Sequence, residues 1–230
     1  MTQQHESRLA RALLGQTVAT GLIDAVSYLA LGHVFTANMT GNVVFLAFAV
    51  AGAPGLSIPR SAVSLGAFLV GAVAGGRLAA RLAPGPLHRW IATAFATEAV
   101  LLLFAALLAA AGTREALLAV YGVIVLTALA MGVRNATVRK IALPDLTTTV
   151  LTLTLTGLAA DSALAGGTNP RAWRRGASVL TMFLGAAAGA LLVRHSLALP
   201  LVVSGVVSSS CAIAVALTLR EADAAPSTRA

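Results

Sequence analysis

Charged residues are scarce in this chain of 230 residues: they make up 10% of it, whereas 58% is hydrophobic and the mean hydropathy is +0.87. Soluble domains carry about 25% charged residues, so the composition excludes an ordinary soluble globular protein. With so few charges to face water, much of the surface must face lipid. The chain is therefore predicted to be an all-α polytopic membrane protein.

Cysteine is almost absent as well. The single residue, Cys211, lies in an apolar run, which excludes a disulfide framework and a cysteine-based metal site. His33 and His88 stand near opposite ends of apolar runs without acidic residues at metal-ligand spacing, so no metal or other cofactor is predicted. Nucleophile elbows, Walker loops and dinucleotide fingerprints are also missing. We therefore predict that the protein is not an enzyme.

The chain has a net charge of +8, which in a soluble protein is compatible with nucleic-acid binding. Most of its Lys and Arg residues stand in short loops between apolar runs. Orientation in a membrane explains cations in such positions better. The lipid bilayer, and not a nucleic acid, is therefore their predicted partner.

Eight apolar stretches are separated by Pro, Gly and basic residues. The second and the sixth fall below the roughly 20 residues that a straight span requires, and they are also the most polar. These two are therefore expected to be discontinuous or re-entrant. The eight stretches lie near 9–35, 37–53, 61–80, 90–111, 115–138, 146–160, 176–193 and 197–219.

Sequence markers of the first half recur in the second half. Gly and polar residues recur with a displacement of 111 residues, and a Gly-x-x-x-Gly pair recurs with a displacement of 114. The pattern indicates two repeats, 1–112 and 113–220, followed by a disordered tail at 221–230. Chance similarity between apolar segments is the competing explanation. The aligned residues are Gly21 with Gly132, Asp24 with Asn135, Thr36 with Thr147, Gly71 with Gly185, and Gly75 with Gly189.

The distribution of the 16 Lys and Arg residues decides between eight and six crossings. If all eight stretches cross from a cytoplasmic N-terminus, nine of these residues lie inside and seven outside. If the two short stretches dip in and return, 13 lie inside and only Arg60, Arg114 and Arg194 lie outside. The positive-inside rule favours six helices with both termini in the cytoplasm. Three crossings in each half make the repeat an inverted one.

Polar residues open both short stretches: Asn38, Thr40, Gly41 and Asn42 in the second stretch, and 147–156 with six Thr residues in the sixth. Non-helical backbone at membrane depth must be buried in protein or line a cavity, so these residues are candidates for solute contact. Two structural alternatives remain open. Asn and Thr also cap helices, and Thr hydroxyls can bond their own helix backbone.

Two acidic residues, Asp24 and Glu98, lie inside apolar runs. Acidic groups within a membrane are functional candidates, and a carboxyl group taken out of water can act as a proton carrier. For Asp24 the alternative is a structural ion pair with Arg134 or Arg139. Arg134 itself is interpreted as a cation that fixes orientation, with a position in a cavity as its alternative.

Three sequence strings resemble the YoaK-like family of bacterial membrane proteins, a domain of unknown function. They are DAVSYL at 24–29, FTANMTGN at 35–42 and MGVRN at 131–135. The resemblance extends from about Gly15 to Leu219 and implies a six-helix protein of the bacterial inner membrane, without a known substrate. The chain departs from the family pattern at Arg134, where Gln is usual, and at Thr152-Leu153, where Thr-Gly is usual.

Two classes of function are compatible with these features. The first is a proton-coupled secondary transporter or channel for an unidentified small solute, and the second is a scaffold or sensor that acts through protein partners. The Gly-x-x-x-Gly pairs are expected to close either a seam between the halves or a homodimer. The predicted central site combines Asp24, Asn38, Thr40, Gly41 and Asn42 with Asn135, Thr148, Thr149 and Thr152, and Asp24 and Glu98 are its candidates for proton or ion coupling.

Overall fold

The structure is a computed structural model that describes residues 3–82, 84–112, 116–146, 148–149 and 151–224, with side chains from residue 5 to residue 218. Within these ranges the chain is helical and has no strand. A short 3-10 turn, Ala163–Ala165, follows α6. The helices are α1 Gln3–Ala30, α2 Met39–Val50, α3 Ile58–Leu82, α4 Leu87–Ala111, α5 Leu117–Ile141, α6 Thr152–Ala160, α7 Ala172–His195 and α8 Ala198–Ala224.

Six of these helices, α1, α3, α4, α5, α7 and α8, are long and apolar enough to cross a membrane. The helices α2 and α6 have 12 and 9 residues. At a rise of about 1.5 Å per residue neither reaches across a hydrocarbon core of about 30 Å. The prediction of an all-α protein with six membrane-spanning helices is confirmed, and the chain is a multi-pass membrane protein.

The outer surface of the bundle is apolar. Large hydrophobic side chains such as Leu69, Leu107, Phe183 and Leu191 are more than half exposed. In water such a surface would be unfavourable, whereas lipid tails solvate it at no cost. The polar side chains are concentrated inside, which is the reverse of a soluble protein.

Neighbouring helices show the direction in which each long helix runs. Along α3 and α5, Gly71 packs on Leu129 and Gly75 packs on Val133, so these two helices are parallel. The helices α1 and α7 are parallel by the same criterion, because Val18 and then Leu22 meet successive glycines of α7.

The remaining contacts are antiparallel. Along α1 and α8, Ala12 contacts Cys211 and Gln16 contacts Ser208. Along α4 and α5, Glu98 contacts Arg134, whereas the later residue Leu108 packs on the earlier Gly122. Along α4 and α8, Glu98 contacts Ser208, whereas the later residue Leu103 packs on the earlier Gly205. These contacts make the six long helices alternate in direction. Gln3 and Ala224 therefore lie at the same end of the bundle, which we call the terminal end.

The Gly-x-x-x-Gly pairs lie in helix contacts within this chain. A Cβ atom on Gly71 would overlap the carbonyl oxygen of Leu129, and one on Gly185 would overlap that of Val18. Only glycine allows backbones to approach so closely. These pairs are therefore used between α3 and α5 and between α7 and α1, and they are not available for a contact between two chains.

The long helices form a central group of four with two outer helices. In the centre, α8 packs against α1 and α4, and α4 also packs against α5. On the outside, α3 covers α5 and α7 covers α1, while the short helices α2 and α6 rest on α3 and α7. Side chains that point into the central group are surrounded by protein on every side.

The C-terminal helix is longer than the sequence indicated. α8 continues to Ala224, so the first four residues of the predicted tail are helical. Its remainder, 225–230, lies outside the described residues, as do Thr147 of the predicted site region and Arg114 of the charge count.

Candidate functional site

One face of α1 is polar although it is buried. Gln16, Thr20 and Asp24 are spaced four residues apart, which places them on the same side of a helix. Gln16 and Thr20 are fully buried and Asp24 is 7% exposed. Because α1 belongs to the central group of helices, this polar face points into the bundle and not into lipid.

A buried ion pair joins α5 to α4. The Nη1 atom of Arg134 lies 3.1 Å from Oε1 of Glu98, and both side chains are fully buried. Nη1 also donates to the backbone carbonyl and to the side-chain oxygen of Gln16, at 2.8 Å and 3.0 Å. Nη2 donates to Oγ1 of Thr20 at 2.7 Å. The guanidinium therefore connects α1, α4 and α5.

The fourth central helix completes the cluster. The hydroxyl of Ser208 on α8 donates to Oε1 of Glu98 at 2.9 Å. Three atoms, Nε2 of Gln16, Nε of Arg134 and Oε2 of Glu98, have no hydrogen-bond partner among the described residues. Since buried polar atoms are normally paired, the cluster retains hydrogen-bonding capacity for a polar solute. We call Gln16, Thr20, Glu98, Arg134 and Ser208 the central cluster.

This geometry corrects the interpretation of Arg134 as a loop cation that fixes orientation. Its side chain has no exposed surface, and its partner is Glu98 and not Asp24. The alternative of an Asp24–Arg134 ion pair is therefore wrong. Without Arg134 the charge count becomes twelve residues inside against three outside, which still favours six crossings.

Asp24 lies next to a non-helical segment that follows α1. Its carboxylate is near the backbone N–H of Ala37 and within the electrostatic reach of Arg134, and its Oδ1 has no hydrogen-bond partner among the described residues. α1 ends at Ala30, six residues after Asp24. The chain therefore turns back by about 9 Å into the bundle before α2 begins.

A similar segment follows α5 at the terminal end. Asn135 stands six residues before the end of α5 at Ile141. Its Oδ1 accepts a hydrogen bond of 2.9 Å from Oγ1 of Thr149, and its Nδ2 donates to the carbonyl of Met131 at 2.8 Å. Thr148 is fully buried and has a positive φ of 62°. Here too the chain returns into the bundle before a short helix.

Asn42 fastens the segment at the start of α2. Its Oδ1 accepts from the backbone N–H of Phe35 at 2.8 Å, and its Nδ2 donates to the carbonyl of Phe35 and to Oγ of Ser64. Gly41 packs against the ring of Phe35. Asn42 therefore has a structural role, as the alternative to solute contact proposed. The specific alternative of a capping Asn is not observed at Asn38, whose side chain makes no hydrogen bond to the start of α2.

The remaining predicted site residues lie apart. Thr40 on α2 and Thr152 on α6 are exposed. The structure thus brings the predicted residues together in two groups, Asp24 with the segment 31–38 and Asn135 with 148–149. The central cluster lies beside these groups, and of its members the predicted site included only Glu98. The four-residue spacing that Gln16 and Thr20 share with Asp24 on α1 was the signal that could have revealed them.

A cavity of about 920 Å³ lies at the terminal end, between α3, α5, the segment 142–146 and Thr149. It reaches Asn135 and Thr149, so part of the predicted site lines it. Its lining residues are Phe68, Ala72, Gly76, Asn135, Ala136, Val138, Arg139, Lys140, Ala142, Leu143, Pro144, Asp145, Leu146 and Thr149.

Comparison with known proteins identifies the family. Residues 12–215 match the model of a family described as "Protein of unknown function (DUF1275)". This chain belongs to the DUF1275 family. The DUF1275 match includes the central cluster and both of the non-helical segments that turn back into the bundle, one after α1 and one after α5. The chain is also similar to a curated relative, the UPF0700 transmembrane protein YoaK of Bacillus subtilis (strain 168), to which it is 32% identical over 145 residues.

The aligned part covers 63% of this DUF1275 chain and 63% of the Bacillus subtilis protein. The predicted YoaK-like resemblance is thereby confirmed. The description of that relative as a transmembrane protein agrees with the six apolar helices of this DUF1275 chain. No solved structure matches the chain.

Proposed function

We propose that this DUF1275 protein is a secondary transporter or channel for a small solute. The observation that carries the proposal is the pair of non-helical segments that return into the bundle, one to Asp24 and one to Asn135. Backbone without helical hydrogen bonds is costly at membrane depth unless it faces a protein-lined or wet cavity. Broken segments of this kind bind substrates and ions in transporters.

We also infer that the chain consists of two inverted repeats, 1–112 and 113–220. The contact between Gly71 and Leu129 has a counterpart between Gly185 and Val18. Gly185 follows Gly71 by 114 residues, and Leu129 follows Val18 by 111 residues. These are the two displacements found among the sequence markers. Contacts between chance-similar segments would have no reason to correspond residue by residue.

The arrangement of whole helices supports the same inference. The α3–α5 pair corresponds to the α7–α1 pair, the α4–α5 pair corresponds to the α8–α1 pair, and the α4–α8 pair corresponds to itself. A pseudo-two-fold axis would therefore pass between α4 and α8. Each half contributes three long helices, an odd number, so the second half runs in the opposite sense.

The terminal end is proposed to face the cytoplasm of a bacterial inner membrane. Twelve Lys and Arg residues are assigned to that side, against three on the other side. This excess is the signature of the cytoplasmic side. The cavity beside Asn135 would then open toward the cytoplasm, and Asp24 would lie nearer to the other side.

In this mechanism the central cluster is the barrier between the two groups of polar residues. Arg134 directly precedes Asn135 on α5, and its guanidinium reaches Thr20, one turn before Asp24 on α1. A solute that enters from the cavity meets Asn135 first and must displace part of the cluster to reach Asp24. Protonation of Asp24 is proposed to couple this movement to a proton gradient.

The experiment is a thermal-shift screen of the purified protein against a solute library at several pH values. A ligand that binds only the native state raises stability by RT ln(1 + [L]/Kd), so no prior assumption about solute chemistry is needed. Solutes that raise the melting temperature are then tested for uptake into proteoliposomes. Binding without uptake above that of protein-free liposomes would reject transport and favour a sensor that acts through partners.

A homodimer remains a separate proposal. Since the Gly-x-x-x-Gly pairs are occupied within the chain, two copies must associate through another lipid-facing surface. The measurement is the mass of the particle in nanodiscs. A single chain per particle at every protein concentration would exclude a dimer.

A further inference from the structure

The cavity at the terminal end has an uncompensated positive charge. Arg139 and Lys140 line it and form no hydrogen bond or ion pair with the described residues. The acidic lining residue, Asp145, is already paired with Arg171 at 2.8 Å and with Arg175 at 2.9 Å. The field inside the cavity therefore attracts an anion.

The same cavity also offers one further donor and an apolar wall. Nδ2 of Asn135 carries two hydrogens, and among the described residues it donates one hydrogen bond, to the carbonyl of Met131. The apolar wall adds area from which a ligand can exclude water. It consists of Phe68, Ala72, Ala136, Val138, Leu143 and Leu146.

We propose that this cavity binds an organic anion that consists of a carboxylate or phosphate head and an apolar body. Arg139 and Lys140 hold the head, and the apolar wall of the cavity holds the body. A volume of about 920 Å³ suits a ligand of this size. The inference rests on the proposed function, because it names the class of the transported solute. A soluble metabolite-sized anion and an anionic lipid headgroup share this chemistry.

Gly76 gives a direct way to fill the cavity. Gly76 lines the cavity, and a Cβ atom at this position would meet no other atom within 4 Å. Gly76→Leu therefore occupies the ligand volume without a backbone clash, and Leu also favours the helix. Gly66, on the same helix, is equally open but does not line the cavity, so Gly66→Leu is the matched control.

The test uses the full chain in nanodiscs of zwitterionic lipid, with hexyl phosphate, hexanol and hexylamine as probes. We expect hexyl phosphate to raise the melting temperature in a saturable manner and the two other probes to have no saturable effect. R139Q/K140Q removes both cations and is expected to weaken hexyl phosphate binding by about tenfold or more, because the charge-assisted hydrogen bonds to the head are lost.

R81Q/R89Q makes the same charge change near the same end of the bundle but outside the cavity lining, and it should change the affinity by less than about twofold. Gly76→Leu should abolish binding, whereas Gly66→Leu should preserve it. Equal stabilisation by hexyl phosphate and hexanol would overturn the proposal, and so would unchanged affinity in both R139Q/K140Q and Gly76→Leu.

Lipid composition separates the two sources of the anion. If anionic phosphatidylglycerol in the nanodisc competes with hexyl phosphate in the unsubstituted protein, a lipid headgroup occupies the site; if it does not, the ligand is a soluble anion. Failure of the proposed function would look different. Saturable binding of hexyl phosphate without uptake into proteoliposomes rejects transport and leaves the binding site intact.

Discussion

Removal of the Glu98 carboxylate should destabilise the protein strongly. In Glu98→Ala, Arg134 remains fully buried but loses the carboxylate that contacts it, and the Ser208 hydroxyl loses its acceptor on α4. Breaking a buried ion pair by removing one partner costs about 3–5 kcal/mol. For a chain of this size, 1 kcal/mol corresponds to about 2–4 °C in Tm. The expected loss is therefore about 6–20 °C.

A double-mutant cycle separates the ion pair from the volume that the substitution removes. Glu98→Leu and Arg134→Leu are each expected to destabilise strongly, whereas the double variant should recover most of the loss, because apolar replacement of a buried pair is often neutral. The surface pair of Glu6 and Arg174 provides the control. Its side chains are 39% and 20% exposed, so Glu6→Gln should cost less than about 1 kcal/mol.

The assay is thermal unfolding of the purified protein, with each variant in the same detergent or nanodisc. A loss below about 1 kcal/mol for Glu98→Ala, together with additive effects of the two Leu substitutions, would refute the reasoning. In that case the guanidinium would be stabilised by Gln16 and Thr20 alone, and the carboxylate would not be a partner that matters for the fold.

Gly71→Leu places a side chain into the backbone of α5, so it should prevent correct folding in a size-exclusion and melting assay, whereas Gly66→Leu should fold normally. Asp24→Asn should fold and insert, but ligand binding should lose its pH dependence; pH-dependent binding that persists together with a large fall in Tm would make Asp24 purely structural. With the native cysteine replaced by serine, cysteines introduced at Gly85 and at Gly167 should react with an impermeant reagent from the same face, and reaction from opposite faces would contradict six crossings.

The sequence predicted the number of helices because length and charge are local properties. The two short stretches, 37–53 and 146–160, were too short to span a membrane. The distribution of Arg and Lys then favoured six crossings. The glycine contacts were also foreseeable in part. A pair that recurs with a fixed displacement indicated a seam, although which helices it joins required the structure.

The environment of Arg134 could not be predicted in the same way. Its position seven residues before the end of α5 is compatible with a side chain that reaches the membrane surface as well as with one turned inward. The difference depends on rotation of the helix and on Glu98, which lies 36 residues away in sequence. The role of Asn42 was difficult to predict for another reason. Its side-chain amide binds the backbone of Phe35, and in a sequence an Asn with this local role looks the same as an Asn that binds a ligand.

The ion pair between Glu98 and Arg134 has a consequence for the balance between conformations. At displacements of 111 and 114 residues the counterpart of Arg134 is Ile23 and that of Glu98 is Ala212, and both of these are buried and apolar. Two identical halves that exchanged their conformations would give inward-open and outward-open states of equal energy. Here the exchange would disrupt the ion pair of Glu98 with Arg134, and no equivalent pair could form between Ile23 and Ala212. If the chain is the transporter proposed above, it is therefore expected to rest predominantly in one orientation, and a solute must supply the binding energy that drives it into the other.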